Sequence, residues 1–259
     1  MPGNEERLIS CLIEELGEGR EVNLPIIGNL KNIYNPSSNK KREEIKNKSD
    51  LANLSSNDKH KKADIYLNDF GTSIKEETSS VLYNKLQRRH LPELLYFLFK
   101  KEIKAKSILA DLDREINKVN NGAKRDIPWN NIFSREDFLI ILQFLMMEGN
   151  ADTIISDHPA KYILAAPTEI NQESLKEIKV YDFENYFEEN QNKIVLAARR
   201  CWIGQKSKSE SRRAQNIIKF QENHPWVFKN ISGQPREWDP LLPSNERREV
   251  FYINIIQNS

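Results

Sequence analysis

Apolar residues recur at helical spacing near the start of the chain. Leu8, Ile9, Leu12, Ile13 and Leu16, closed by Gly17 and Gly19, predict an amphipathic helix. Glu5 lies three and four residues before Leu8 and Ile9 and extends that apolar face. A carboxylate in a first turn also complements the helix dipole, which is its commoner role. Residues 21–30 read as extended, and Pro25 confines them to a strand start or edge. From 35 to 60 bulky apolar groups thin out and Asn, Ser and Lys dominate, which predicts an exposed, partly helical loop. Order returns at Ala63. Residues 61–75, KKADIYLNDFGTSIK, hold two short alternating runs around Asn-Asp-Phe-Gly, the pattern of a β-hairpin.

Beyond the hairpin, Ser79 or Ser80 is placed to cap a helix through His90, with Val81, Leu82, Tyr83 and Leu86 inward. Pro92 opens a second, strongly apolar helical run. SREDFLIILQFLMMEGN predicts a third helix, capped by Ser134 with Asp137 three residues later, and Met146 and Met147 read as core fillers. The second half turns to strand patterns: KYILAAP, IKVYDF, KIVLAARRCW and VFYINII. This order predicts an α/β or α+β fold, a central mixed β-sheet flanked by helices. Residues 1–184 would form the core, with a helical insertion at about 91–150. Residues 185–259 would form a subdomain packed on the same sheet.

Composition narrows the classes of function. The chain has 259 residues, 30% charged and 38% hydrophobic, with a net charge of +1. Contact with a polyanion must therefore come from local patches. No apolar run approaches the ~18 residues of a membrane span. The N-terminus lacks the basic region and small-residue cleavage site of a signal peptide. Cys11 and Cys201 form no CxxC pair and read as buried thiols of a cytoplasmic protein. No His pair has metal-ligand spacing. The absence of G-x-S-x-G and of a Gly-rich phosphate loop removes the support for serine-hydrolase and nucleotide-binding readings.

The hairpin carries the candidate chemistry. If Asn68 and Gly71 close a two-residue turn, Asp64 faces Lys75 with Cβ atoms about 5 Å apart. Such a pair is either a surface ion pair or a carboxylate and amine able to hold a divalent metal and position a water beside it. A three-residue turn ending at Gly71 would instead put Glu76 opposite Asp64. A second candidate is RRCWIGQKSKSESRRAQNIIK, residues 199–219, with seven basic residues and one acid. As a loop between strand and helix it suits duplex DNA. Arg199, Arg200, Lys206, Lys208, Arg212 and Arg213 could contact phosphates, and Arg side chains and Gln205 could read base edges. The plainer reading is a solvated basic face. Arg88 and Arg89, on the edge of the predicted 81–90 helix, are further DNA-binding candidates.

The order of a helix with a face carboxylate, a hairpin carrying Asp and x-x-Lys, a basic-edged helix and a buried strand resembles the PD-(D/E)xK nuclease superfamily, type II restriction endonucleases in particular. Asp64, Ser73-Ile74-Lys75, the 83–90 segment and the KYILAAP strand carry this resemblance, which covers roughly residues 1–100 plus that strand. It implies a restriction-endonuclease-like core and Mg²⁺-dependent hydrolysis of phosphodiester bonds in double-stranded DNA at a specific sequence. Asp64 matches the metal-binding aspartate, with Ala63 where many members have proline. Lys75 matches the lysine that orients or activates the attacking water. Ser73 stands at the second acid, a departure, since serine is a weaker magnesium ligand than a carboxylate. Some members recruit an acid from the following helix, and Gln87 occupies that place here. The remaining donors are the Ile74 carbonyl, Glu77 and Glu5. One metal ion or two, and an inactive relative, stay open. The resemblance also implies a cognate DNA methyltransferase as genetic partner and leaves room for a homodimer. The alternatives are a repair or junction nuclease of the same fold and a DNA-binding protein without catalysis.

Overall fold

The computed structural model of the chain describes residues 4–53, 61–76 and 81–258. Helix α1 (Asn4–Gly17) leads into a small hairpin, β1 (Asn23–Leu24) and β2 (Gly28–Asn29), then β3 (Ile33–Pro36) and β4 (Arg42–Glu44). The expected hairpin follows as β5 (Ile65–Leu67) and β6 (Phe70–Glu76). Strand β7 (Val81–Leu86), helices α2 (Leu91–Phe99) and α3 (Glu102–Asn120), strand β8 (Asp126–Pro128) and helix α4 (Arg135–Gln143) come next. The remainder runs β9 (Tyr162–Ala166), β10 (Lys179–Tyr181), α5 (Phe183–Asn190), β11 (Ile194–Ile203), α6 (Lys208–Ile218), β12 (Val227–Phe228) and β13 (Arg248–Gln257). The architecture is mixed, of α+β type, and among the described residues no helix is long and apolar enough to cross a membrane.

The first sheet has the order β10-β9-β6-β5-β3-β4, with β9 parallel to β6 and every other pair antiparallel. A parallel pair needs a long crossover, which the segment from β7 to α4 supplies. Both faces are covered. Leu8, Ile9, Leu12 and Ile13 of α1 pack with Ile65, Leu67 and Leu164 on one face. Tyr66 and Ile163 join the residues of α2, α3 and α4 on the other. Burial on both faces explains why β9 is apolar along its length.

The last strands form a second sheet rather than extending the first. Its order is β12-β13-β11-β8, with β7 also paired to β13. Strands β7 and β8 come from the first 184 residues, so the boundary expected near 184 separates strands of one sheet.

Residues 81–86 are therefore a strand, not the start of a helix, and a 3₁₀ turn spans Arg88–His90. The physical reason is a β-bulge. Ile256 faces Leu82 while Ile255 faces Asn84, leaving Tyr83 as the extra residue. The bulge buries Tyr83 and Leu86, three positions apart, and so imitates a helical stripe. Tyr83 is held by the Tyr186 hydroxyl at 3.0 Å and by Gln257, and burial raises its phenol's pKa. Two smaller differences follow from local chemistry. Asn35 and Pro36 of β3 pair with β4 (Arg42–Glu44) inside the 35–60 stretch where a loop was expected. The long run after Pro92 breaks at Lys100, which takes a left-handed conformation with φ of 52°. The Ser134 cap is present, its Oγ accepting from the Asp137 N–H at 3.2 Å, and Met146 and Met147 are buried.

The 61–76 hairpin turns on Asn68, which adopts φ of 53°. Asparagine tolerates that region better than most residues. Its Oδ1 accepts from the N–H groups of Lys31 at 2.8 Å and Asn32 at 3.3 Å, and its Nδ2 donates to the Asn29 carbonyl at 3.1 Å. Asn68→Ala is expected to cost about 2 kcal/mol, from bonds of about 0.5–1.5 kcal/mol each and a strained φ. Asn68→Gly keeps the φ and loses less. Thermal melts of the two variants check this order, and equal stability of Asn68→Ala and wild type would contradict it.

Cys201 is buried, its Sγ 3.8 Å from the Val250 carbonyl, and burial pushes its thiol up to about 12 against the weaker pull of Lys85 and Arg213. The folded pKa exceeds the unfolded value of about 8.5. The resulting stabilisation is complete below that value and is lost as pH rises towards about 12. At pH 8 a thiol reagent should modify half-buried Cys11 first and reach Cys201 only on unfolding. Equal rates at the two thiols in folded protein would contradict the assigned burial.

Candidate active site

The hairpin pairs Leu67 with Phe70, Tyr66 with Gly71 and Ile65 with Thr72. Its two turn residues are thus Asn68 and Asp69, and the next position inward sets Asp64 opposite Ser73. Neither Lys75 nor Glu76 faces Asp64 across the strands. The physical reason is the Asn68 tether, which closes the turn before Gly71. Gly71 serves a different purpose: a Cβ there would lie 2.4 Å from the Pro159 carbonyl oxygen. The loop before β9 leans on the strand at that point.

The ladder ends beside Thr72, whose carbonyl accepts the Asp64 N–H at 2.9 Å. The chain before Asp64 turns away, and the N–H groups of Lys62 and Ala63 donate to the His158 carbonyl at 3.0 and 2.9 Å. The Asp64 side chain fills the gap this leaves. Its Oδ2 accepts the Ile74 N–H at 2.7 Å and the Ser73 hydroxyl at 3.2 Å. His158 anchors the turning segment. Its Nε2 lies 2.5 Å from the Ser37 carbonyl and so must carry the proton, leaving Nδ1 to accept from the Tyr66 hydroxyl at 3.1 Å.

Glu5, at the start of α1, belongs to the same locality. Loss of hydration raises its pKa, the charge of Asp64 raises it further, and Lys61 and Lys75 pull it down. Lys62 is also part of the group. Desolvation first, and Lys75 second, push its ammonium down to about 8, while Asp64 opposes them. Its Nζ donates to the Leu145 carbonyl at 2.7 Å. Asp64 thus bonds Ser73, and the charges of Glu5 and Lys75 lie near enough to act on one another, without the expected Asp64–Lys75 pairing. Lys61 and Lys62 join them. The only hint of Lys62 in the sequence is its place two residues before Asp64.

Among the described residues no group of three His, Cys, Asp or Glu side chains could hold a metal ion. Two carboxylates, Asp64 and Glu5, lie near enough for their charges to act on one another. The N–H and C=O of a strand residue point to one edge, so the Ile74 carbonyl lies on the side where its N–H meets Asp64. That donor set fits one Mg²⁺, which takes one or two carboxylates and keeps several waters. It does not fit two ions, because Ser73 brings no charge and its hydroxyl is bonded to Asp64. Glu77 lies outside the described residues.

The other candidates are spread over the second sheet and its surroundings. Gln87 follows β7, and its Oε1 accepts from Arg89 Nε and Asn223 Nδ2, both at 3.2 Å. Arg88 makes a two-pronged ion pair with Asp113, at 2.8 and 3.0 Å. Arg89 stacks over Phe220, 3.9 Å from the ring centre. Arg199 and Arg200 sit on β11, the strand expected at KIVLAARRCW, facing Asp126 at 3.4 Å and buried Glu249 at 3.1 Å. Gln205 is buried, and Lys206 pairs with Glu237 at 2.6 Å. Lys208, Arg212 and Arg213 are exposed on α6, with no ion pair among the described residues. Lys85, on neighbouring β7, has its pKa lowered by desolvation and then by the charge of Arg213.

No family model matches the chain, and no curated protein or solved structure matches it significantly.

A pKa raised in the fold means that ionised Glu5 costs stability as pH rises through the carboxylate range. In metal-free buffer at pH 7, Glu5→Gln should melt no lower than wild type. Mg²⁺ at ten times its Kd should stabilise wild type by about 1.4 kcal/mol, and Glu5→Gln and Asp64→Asn should lose that gain. An unchanged Mg²⁺ shift in Glu5→Gln would remove Glu5 from the metal site.

Proposed function

We propose that the chain is a Mg²⁺-dependent endonuclease of the PD-(D/E)xK type that cuts double-stranded DNA at a specific sequence, as type II restriction enzymes do. The observation that carries this reading is the gathering of Asp64, Glu5 and Lys75 where the β5–β6 ladder ends. The topology supports it as well. A helix, an antiparallel hairpin and a buried parallel strand follow in the order on which the resemblance rests. The helix that should follow Lys75 is replaced by β7, and α2 to α4 supply the cover on that face.

Asp64, Glu5 and the Ile74 carbonyl would hold Mg²⁺, which when bound polarises the scissile phosphate and acidifies a water. Ser73 and the Ile74 N–H fix the orientation of the Asp64 carboxylate. Lys75 positions the attacking water and meets the negative charge that develops on the phosphate. Lys85, Lys208, Arg212 and Arg213 offer phosphate contacts along the second sheet and α6. The net charge of +1 favours a sequence-reading enzyme, since a sequence-blind nuclease carries a broader basic surface. The enzyme would act in the cytoplasm, with a DNA methyltransferase as its genetic partner. One observation favours a binding protein without catalysis: Asp64 Oδ2 already accepts two hydrogen bonds and so has a structural use.

Purified protein with Mg²⁺ should cut plasmid DNA into discrete bands. Asp64→Ala and Lys75→Ala should each lower the rate by roughly 10²-fold or more while sparing DNA binding. A smear instead of bands favours a repair or junction nuclease. Binding without cutting favours the non-catalytic reading, and full activity in either variant sinks the site assignment.

A further inference from the structure

Lys62 is half buried, and among the described residues its ammonium meets one acceptor, the Leu145 carbonyl at 2.7 Å. Among the described residues no carboxylate pairs with it, whereas half-buried Lys104 is paired with Asp137. An ammonium has three N–H donors, and a desolvated one left short of acceptors and counter-charge is costly. The fold nevertheless holds it in place from two sides. The Lys62 N–H is bonded to the His158 carbonyl at 3.0 Å. Leu145 lies in a π-helical turn, Phe144–Glu148, an irregularity frequent at functional sites. Asn84 Nδ2 approaches the same carbonyl at 3.5 Å, so Lys62 sits where β7 of the second sheet meets the hairpin of the first.

The charges of the site give this placement a purpose. Lys61, Lys62 and Lys75 stand against two carboxylates, Asp64 and Glu5. With Ser73 in place of an acid, the locality is cationic before any metal enters, which disfavours a second Mg²⁺ and favours an anion. We propose that Lys62 is a phosphate-binding residue of this site, its ammonium supplying beside the DNA phosphate the positive charge that a second metal ion would otherwise bring. This rests on the nuclease reading and adds to it a recognition element outside the Asp64–x–Lys75 motif.

Binding of a labelled DNA duplex in EDTA at pH 7, followed by fluorescence anisotropy over a salt series, tests the proposal without cleavage. One lost phosphate contact should flatten the slope of log K against log salt by about 0.9 and weaken binding about eightfold at 0.1 M salt. Lys62→Met is expected to show both changes and to melt no lower than wild type, because it removes an unpaired, half-buried charge. Lys62→Arg should restore the slope. Wild-type affinity and slope in Lys62→Met would overturn the proposal and leave the nuclease reading standing. A loss in Lys62→Met that Lys62→Arg does not rescue would assign the lysine a structural role and overturn it too. Wild-type protein that binds no duplex at any salt concentration would overturn both. Should Lys62→Met fail to fold, Lys62→Gln and Lys62→Arg carry the same comparison.

Discussion

The turn at Asn68 and Asp69 governs the arrangement of the whole candidate site. Of the two turn residues Asn68 takes the left-handed backbone, and its amide ties the tip to residues 29–32. From that point the pairing runs inward without freedom to Ile65 and Thr72. Asp64 then arrives opposite Ser73, where the ladder has ended and the Ile74 N–H has lost its strand partner. A carboxylate at that place is drawn in by an N–H and a hydroxyl. The same loss of pairing lets the chain before Asp64 turn towards His158, which brings Lys61 and Lys62 to the site instead of along the sheet edge. A slip of the turn would separate these groups.

Electrostatics then decides what such a site favours. Loss of hydration first, and the charge of Asp64 second, raise the pKa of Glu5, and a divalent cation between the two carboxylates would relieve their repulsion. Three lysines around them repel one another in turn, and phosphate relieves that. In the proposed function the two demands would be met together by a metal ion bound to a phosphodiester. Each is met only in part by the free protein, in which Lys62 leans on one carbonyl. A surface ion pair between Asp64 and Lys75, the plainer use of the motif, would need a cross-strand pairing that the register denies.

Much of the frame was legible in the residues. The Leu8–Leu16 stripe, the Ser134 cap and the four late strands all follow from spacing and turn chemistry. The register did not, for a definite reason. Moving the turn from Asp69-Phe70 to Asn68-Asp69 shifts the pairing by two residues and leaves every side chain on its face, so the apolar alternation cannot tell the two apart. Strand β7 was hidden because the bulge at Tyr83 gives a strand the three-residue spacing of a helix. The basic stretch from 199 to 219 read as one DNA-contacting surface, yet Arg199, Arg200 and Lys206 find their acids at Asp126, Glu249 and Glu237, far away in sequence. Lys62 was invisible for a similar cause: its burial depends on Leu145 and His158, which only the crossover brings near.

In the proposed function the end of the hairpin is a single divalent-cation site built by Asp64 and Glu5. Crystals of the protein soaked in Mn²⁺ and measured at the manganese absorption edge address it directly. One anomalous peak within coordination distance of both carboxylates is the expected result, absent in Glu5→Gln. A peak elsewhere on the chain, or none at millimolar Mn²⁺, would contradict it.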